Sequence, residues 1–299
     1  MEQLEILKRK MESARELRSL VKTMKVLAAV SIREYGQAVE SLVEYNRAIE
    51  MGLQIVMRNR PGEIATGKEI KKNRFGAVIF GSEQGLCGRF NEQIAQYAIE
   101  RMDELKVRQE DRTILALGER VIARLEEAGQ KVEERFSFFG NHSGITAVMQ
   151  QVLVKIEEWR LERGIEQIVL FYNRPVSGAA FSPNMLYLLP LDMEWLLGLE
   201  KKEWPSRTLP TFTMDWDELF SSLVRHYLFF SLYRAFVESL ASENASRLSA
   251  MQVAEKNIDE RLNELSTQFH GQRQSRITEE LLDIITGFEA LTGEKSREG

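Results

Sequence analysis

The chain has 299 residues, 43% hydrophobic and 28% charged, a composition typical of a soluble protein with one or two domains. Its formal net charge of −5 excludes a general nucleic-acid-binding signature. One cysteine cannot form an internal disulfide, and three scattered histidines lack the paired spacings of a zinc site. We therefore predict no nucleic-acid partner and no metal site.

Residues 1–60 are predicted to form one long N-terminal helix. Apolar residues recur every three or four positions from Leu4 to Val56, and the first proline is Pro61. Residues 8–25 carry seven Lys and Arg against two Glu, which indicates either an acidic partner or a basic helix face in solvent. These charges also interrupt the apolar core that a signal peptide would need.

Residues 61–214 are predicted to form an α/β domain. Short apolar runs predict strands at Gly76–Phe80, Thr113–Leu117, Lys131–Phe136 and Ile165–Tyr172, with a further strand at Met185–Leu191. Helices are predicted at Glu92–Glu104, Glu119–Glu127 and Ile145–Arg160. Because strands and helices alternate, we expect a mainly parallel, Rossmann-like sheet covered by helices.

The segment GAVIFGSEQGLCGRFN, residues 76–91, joins the first strand to the first helix of this domain. It has neither the Gly-x-Gly-x-x-Gly spacing of a dinucleotide site nor the Gly-Lys-Ser/Thr ending of a phosphate loop. We therefore predict a tight strand-to-helix turn at Gly85, Leu86, Cys87 and Gly88, with no cofactor and no catalytic residue. The alternative is a cytoplasmic α/β enzyme with Cys87 as its nucleophile, although no histidine lies within fifty residues of it in sequence.

Residues 215–299 are predicted to form a second long helix. A heptad seam runs from Leu223 to Phe269, and its polar members, Arg234, Asn244 and Glu255, either fix the register or face another partner. Two long helices that enter and leave one side of a domain must run antiparallel. The predicted fold is therefore an α/β domain inserted between two long N- and C-terminal helices that form an antiparallel coiled coil.

The end of the second helix is predicted to extend beyond the first. Its apolar residues have nothing in the same chain to cover them: Ile277, Leu281, Ile284, Ile285, Phe288 and Leu291. This pattern indicates a sleeve made by other subunits, or a helix that folds back or frays. Just before it, the segment His270–Glu280 places Arg273, Gln274, Arg276 and Thr278 on one polar turn, suited either to acidic or backbone groups of another chain or to solvent.

Four motifs together resemble the gamma subunit of F-type ATP synthases over essentially the whole chain. They are KTMKVLAAVS at 22–31, GSEQGLCGRFN at 81–91, ESLASENASRLSAMQVAEKNI at 238–258 and RQSRITEELLDIITGFEAL at 273–291. The resemblance implies a non-catalytic central rotor whose shaft enters a hexamer of alternating alpha and beta subunits. Its foot would sit on the membrane-embedded c-ring and hold the epsilon subunit, and nucleotide chemistry would belong to the beta subunits.

The resemblance also assigns contacts to named residues. Arg273, Gln274 and Thr278 match the family's contacts with a beta-subunit loop, and Lys22, Met24 and Lys25 fall where the shaft meets an acidic segment of beta. The chain would lie at the cytoplasmic face of a bacterial or archaeal cell membrane, attached only through the c-ring. The competing hypothesis is a coiled-coil scaffold or tether with an α/β recognition domain.

Three departures from the family pattern suggest a divergent, alternative-type branch. The chain reads ARELRSLV at 14–21 where the family usually has an Asn-Thr-x-Lys-Ile-Thr-like run, Arg89 where glycine is common, and Ser31 at the end of a run that is commonly Ala-Ala-Lys.

Overall fold

The computed structural model describes residues 2–59, 74–138, 144–176, 180–205 and 208–295, with side chains described within 3–286. In chain order its elements are α1 Glu2–Asn59, β1 Phe75–Phe80, α2 Phe90–Glu104, β2 Arg112–Leu117, α3 Glu119–Glu127, β3 Val132–Phe136, α4 Ile145–Arg163, β4 Gln167–Pro175, β5 Phe181–Leu189, α5 Met193–Lys201 and α6 Trp216–Lys295. Each predicted strand and helix is present, with ends that shift by a few residues.

The helix α5 is an element that the sequence reading missed. It has nine residues and begins three residues after Pro190, so its apolar pattern is too short to be distinguished from a connecting segment. Its start does carry a local signal, because the Asp192 side chain accepts a hydrogen bond from the backbone N–H of Trp195 at 3.0 Å.

The five strands form one mixed sheet in the order β3-β2-β1-β4-β5. The pairs β1/β2, β1/β4 and β2/β3 are parallel, and only β4/β5 is antiparallel. Every residue of β1 and β2 is buried, as expected of parallel strands covered on both faces. The chain leaves β1 toward β2 and β3 on one side and returns to β4 on the other, so the crevice where such sheets usually bind ligands lies at the carboxyl ends of β1 and β4.

By packing, the chain divides into two compact units, Leu27–Ala250 and the pair of segments Met1–Val26 and Met251–Gly299. The first is called the sheet unit here, and the second the helix-pair unit. The long helices α1 and α6 each contribute residues to both. The predicted division into residues 1–60, 61–214 and 215–299 follows the order of the elements and stays a prediction.

In the helix-pair unit, α1 and α6 run antiparallel and are joined by two ion pairs. Arg18 Nε lies 2.7 Å from Asp259 Oδ1, and Lys25 Nζ lies 2.5 Å from Glu255 Oε2. Glu255 is a polar member of the predicted heptad seam, and it pairs across to α1. The rest of the interface between the two helices is mainly apolar, with Leu7, Met251 and Leu265 buried. Apolar contact therefore holds the helices together, while the ion pairs favour one register.

In the sheet unit, the segment Ala235–Arg247 of α6 is buried on every face of the helix. Its apolar residues, including Phe236 and Val237, belong to the same core cluster as Phe80, Leu117 and Trp159. The remaining two polar members of the predicted seam are satisfied inside α6: Arg234 pairs with Glu238 at 2.8 Å, and Asn244 donates to the carbonyl of Leu240 at 2.8 Å. The helix thus runs through the interior of the sheet unit.

The close packing of α3 against the loop after β1 predicts that Gly81→Ala is destabilising. A Cβ at Gly81 would lie 2.3 Å from Val121 Cβ, so the backbone must move, and overpacking of this kind costs about 1–3 kcal/mol. Thermal unfolding of the purified chain should show a lower Tm. The control is Gly36→Ala in α1, where a Cβ meets nothing within 4 Å and the helix should gain about 1 kcal/mol. Equal Tm values for the two variants would contradict this packing.

Candidate functional site

The predicted turn residues lie in the loop that joins β1 to α2. Leu86 and Gly88 have positive φ angles of 63° and 58°, and Phe90 N donates to Cys87 O at 3.3 Å as α2 begins. Glycine adopts this left-handed conformation without strain, whereas leucine does so rarely. Leu86 is also 61% exposed, so an apolar side chain is presented on a strained turn.

A buried network fixes the shape of this loop around Cys87. Asn91 at the start of α2 accepts from Ser82 N at 2.9 Å and donates to Ser82 Oγ at 2.7 Å and to Cys87 Sγ at 3.4 Å. Burial raises the pKa of the Cys87 thiol, which keeps it protonated and poorly nucleophilic. Its described neighbours Ser82 and Asn91 supply no base, so the geometry supports the structural role of Cys87 over the enzyme alternative.

The N-terminus of α3 is occupied by a carboxylate of the protein itself. Glu83 Oε2 accepts from Glu119 N at 3.3 Å, and Glu83 Oε1 accepts from Phe138 N at 2.6 Å. Helix N-termini at this edge of a Rossmann-like sheet are the usual binding sites of phosphate groups. Here the negative charge that satisfies the helix end comes from within the chain.

The crevice between the carboxyl ends of β1 and β4 is filled by α6. Ser246 Oγ donates to Cys87 O at 2.6 Å, and Ser242 Oγ donates to Asn173 O at 3.0 Å. The guanidinium of Arg247 reaches Gln84 O at 3.2 Å and Gly85 O at 3.4 Å. The cavity that remains beside these bonds is about 170 Å³, smaller than the pockets that hold nucleotide-sized ligands.

Arg247 is itself held by an acidic side chain one helical turn away. Its Nη2 atom lies 2.6 Å from Glu243 Oε1, and both side chains are about nine-tenths buried. Burial raises the pKa of the Glu243 carboxyl, and the neighbouring Arg247 charge opposes that rise. The pair therefore places a guanidinium against the loop carbonyls without leaving its charge unpaired inside the protein.

These α6 residues and Glu83 were not singled out from the sequence as site residues. Ser242 and Ser246 are spaced four apart in a segment flanked by apolar residues, which puts two hydroxyls on one helix face. That spacing is the signal that could have identified a polar contact surface.

The predicted beta-contact residues all lie in the helix-pair unit, in two groups. On α1, Lys22 is exposed, Met24 is half-buried in the seam, and Lys25 is bound to Glu255. On α6, Arg273, Gln274 and Thr278 are exposed, and Thr278 Oγ1 donates to the backbone carbonyl of Gln274 at 3.0 Å. The neighbouring Arg276 pairs with Glu280 at 3.1 Å. The second group thus presents a guanidinium and an amide to solvent.

Beyond this polar turn, α6 carries exposed apolar residues, as predicted. Their side chains are between 48% and 69% exposed: Ile277, Leu281, Leu282, Ile284 and Ile285. The side chains of Phe288 and Leu291, which the prediction also included, lie outside the described residues. A run of large apolar side chains in solvent is typical of a surface that another protein covers.

Comparison with known proteins agrees with this arrangement. A family model described as ATP synthase matches residues 3–291. The chain belongs to the ATP synthase family. Its relatives include the ATP synthase gamma chain of Brucella canis, 28% identical with 97% of this chain and 100% of the relative covered, and that of Nautilia profundicola, 26% identical with 96% and 98% covered. The family match and the gamma-chain relatives identify the protein as a gamma-type rotor subunit.

Solved structures of ATP synthases share the fold of this family member. The rotor of the Euglena gracilis mitochondrial ATP synthase matches with a TM-score of 0.63 at 14% identity, covering 92% of this chain and 99% of the other. A second structure of that enzyme, described as OSCP/F1/c-ring, matches with a TM-score of 0.66 at 16% identity, covering 98% and 96%. The likeness confirms a Rossmann-like sheet flanked by two long helices.

The Lys25–Glu255 ion pair predicts a pH-dependent contribution to stability. The hydrogen bond from Lys25 lowers the pKa of Glu255 below its ordinary value of 4.5. Because the folded pKa is lower than the unfolded one, the contribution is present above the unfolded pKa and is lost as the pH falls through the folded pKa. Urea unfolding should therefore show Glu255→Gln to be less stable than the parent at pH 7, with the difference shrinking as the pH falls below about 4.

A charge reversal provides the control for this ion pair. Lys25→Glu alone should lower the urea midpoint at pH 7, because it places two carboxylates together, and adding Glu255→Lys should recover most of the loss. A double variant no more stable than Lys25→Glu would show that the two side chains do not interact.

Proposed function

We propose that this gamma-type chain is the central rotor of an F-type ATP synthase, coupling ion flow through a membrane c-ring to conformational change at the catalytic beta subunits. The observation that carries the proposal is the uncovered apolar face of α6, residues 277–285, next to an exposed polar turn. A shaft enclosed by a ring of alpha and beta subunits would bury this face in the assembly. A scaffold or tether gives no reason for leaving it exposed.

The polar turn supplies the specific part of the proposed contact. Arg273 and Gln274 are exposed, and a guanidinium or an amide can form bidentate hydrogen bonds with a carboxylate or with backbone carbonyls. In the proposed contact, these two side chains and Thr278 bind a loop of one beta subunit. Because three beta subunits surround a single shaft, only one of them meets this turn in a given orientation. The catalytic sites therefore differ at any moment, and the nucleotide chemistry takes place in beta.

A second proposed contact involves Lys22, Met24 and Lys25 on α1. Lys22 is exposed and provides a free cationic surface for an acidic segment of beta. The Lys25 ammonium is bound to Glu255, so Lys25 can contact a beta subunit only as part of that ion pair. Lys22 is therefore the principal candidate in this group for the contact with the acidic segment of beta.

The proposed foot is the α/β region, residues 61–214, which rests on the c-ring and holds the epsilon subunit. None of the helices in the described ranges has the length and apolar character to cross a bilayer. The proposed location is peripheral, at the cytoplasmic face of a bacterial or archaeal cell membrane, with attachment through the c-ring.

The assembly is tested by purification of the tagged chain from its native membranes in mild detergent, with the co-purifying subunits identified by mass spectrometry. The rotor proposal expects alpha, beta, epsilon and c subunits, with alpha and beta each in about threefold excess over this chain. Recovery of the chain alone, or with unrelated partners, would instead support the scaffold hypothesis.

The beta contact predicts that Arg273→Ala with Gln274→Ala impairs coupling. Loss of charged hydrogen bonds at a buried interface typically costs 2–5 kcal/mol, so ATP-driven ion pumping by the reconstituted complex should fall roughly tenfold or more. The matched control is Arg261→Ala with Gln268→Ala, which removes the same two side-chain types from exposed positions on the same helix. Unchanged pumping in the Arg273/Gln274 variant would refute the contact assignment.

A further inference from the structure

The contacts between α6 and the sheet edge form a distinct polar joint inside the sheet unit. Its donors are Ser242, Ser246 and Arg247 on α6, and its acceptors are the backbone carbonyls of Gln84, Gly85, Cys87 and Asn173. We call this set the helix clamp. The acceptors come from the loop after β1 and from β4, so α6 is bonded to both sides of the crevice where a Rossmann-like sheet would otherwise bind a ligand.

The acceptor side of the clamp is held rigidly. Asn91 fixes Ser82 and Cys87 through three bonds, and Glu83 joins the same loop to the start of α3 and to Phe138. Gly88, with its positive φ, allows the chain to turn tightly beside Ser246, and a Cβ there would lie 3.5 Å from Ser246 Oγ. The carbonyls that receive the α6 donors are therefore set by the sheet and by α2, not by α6.

Apolar packing resists rotation of α6 through the shapes of its interlocking side chains. The hydrophobic effect itself is non-directional, so hydrogen bonds add a directional restraint that apolar burial does not supply. Hydrogen bonds weaken steeply as their angle departs from linear, and a buried carbonyl that loses its donor is costly. Bonds directed outward from the helix surface therefore resist rotation of α6 about its own axis.

We propose that the helix clamp transmits torque between the α/β sheet and α6, with Ser246 and Ser242 as positioning residues. This inference rests on the proposed rotor function. When the α/β domain rotates, the hydrogen bonds of the helix clamp transmit the rotation from the sheet edge to α6, and the helix does not turn relative to the sheet. Of the two hydroxyls, Ser246 is the stronger element, because Ser242 also bonds the carbonyl of Glu238 in its own helix at 2.9 Å. Arg247 adds a charged donor that Glu243 keeps in place.

The test uses Ser242→Ala with Ser246→Ala in the reconstituted complex, with Ser246→Ala alone as a milder variant. These changes remove the hydroxyl donors while altering the packed volume very little. The matched control is Ser221→Ala with Ser222→Ala, two exposed serines on the same helix. Hydrogen exchange followed by mass spectrometry reports local opening of residues 82–91 and 238–250, and ion pumping per ATP hydrolysed reports torque transfer.

The double clamp variant should assemble with normal yield and hydrolyse ATP, but pump fewer ions per ATP than the parent. Exchange in the clamp segments should rise roughly tenfold or more, as expected when two buried hydrogen bonds are lost, and the control should match the parent in both measurements. An unchanged ratio of ions to ATP, with or without faster exchange, would overturn the torque role. If the parent chain fails to assemble with alpha and beta, the rotor proposal fails first and the clamp proposal with it.

Discussion

The structure of the sheet unit depends on burying a polar stretch of α6. Residues 235–247 are enclosed on all sides although they include two glutamates, an arginine, an asparagine and three serines. Burying a polar group costs free energy unless the group is hydrogen-bonded, and here Ser242, Ser246 and Arg247 bond the sheet edge. The sheet edge must therefore present its carbonyls at fixed positions. The tight loop after β1, the Asn91 network and the Glu83 cap are consequences of that requirement.

The same requirement explains how a Rossmann-like sheet can serve as a structural part of a gamma-type subunit. Such a sheet offers a helix N-terminus for phosphate and a crevice at its switch point for the rest of a ligand. In this chain the Glu83 carboxylate occupies the N-terminus of α3, and α6 occupies the crevice at the switch point. The edge of the sheet where ligands usually bind is therefore filled by the chain's own side chains. Fold alone would suggest a nucleotide-binding protein, whereas the contents of the site favour a structural role.

The periodic parts of the fold could be read from the sequence, and the bonds that fill the site could not. Apolar steps of three and four predicted α1 and α6, because they report burial of one helix face, and short apolar runs predicted the five strands, because the central strands are buried on both faces. The nine-residue α5 was missed because so short a segment shows little period. The partner of Ser246 was beyond prediction, since sequence gives the donor but not the carbonyl that tertiary packing brings to it. Lys25 shows a related limit: the resemblance assigns it a contact with a beta subunit, which stays a prediction, and the sequence does not show that its side chain also pairs with Glu255.

A rotor needs one segment that is fixed to the part that drives it and another segment that can turn against its surroundings. The helix α6 has directional hydrogen bonds in one segment and exposed apolar residues in another. Where it crosses the sheet unit, its contacts include directional hydrogen bonds, which break if the helix turns against its surroundings. Toward its carboxyl end, Ile277, Leu281 and Ile284 present apolar side chains, and apolar contacts carry no angular preference. In the proposed assembly, a surrounding ring of subunits can exchange one such contact for another as the shaft turns, without breaking a specific bond at each step. The polar turn at Arg273–Thr278 offers directional donors beside this apolar surface, so in the proposed assembly a beta subunit could recognise the angular position of the shaft there.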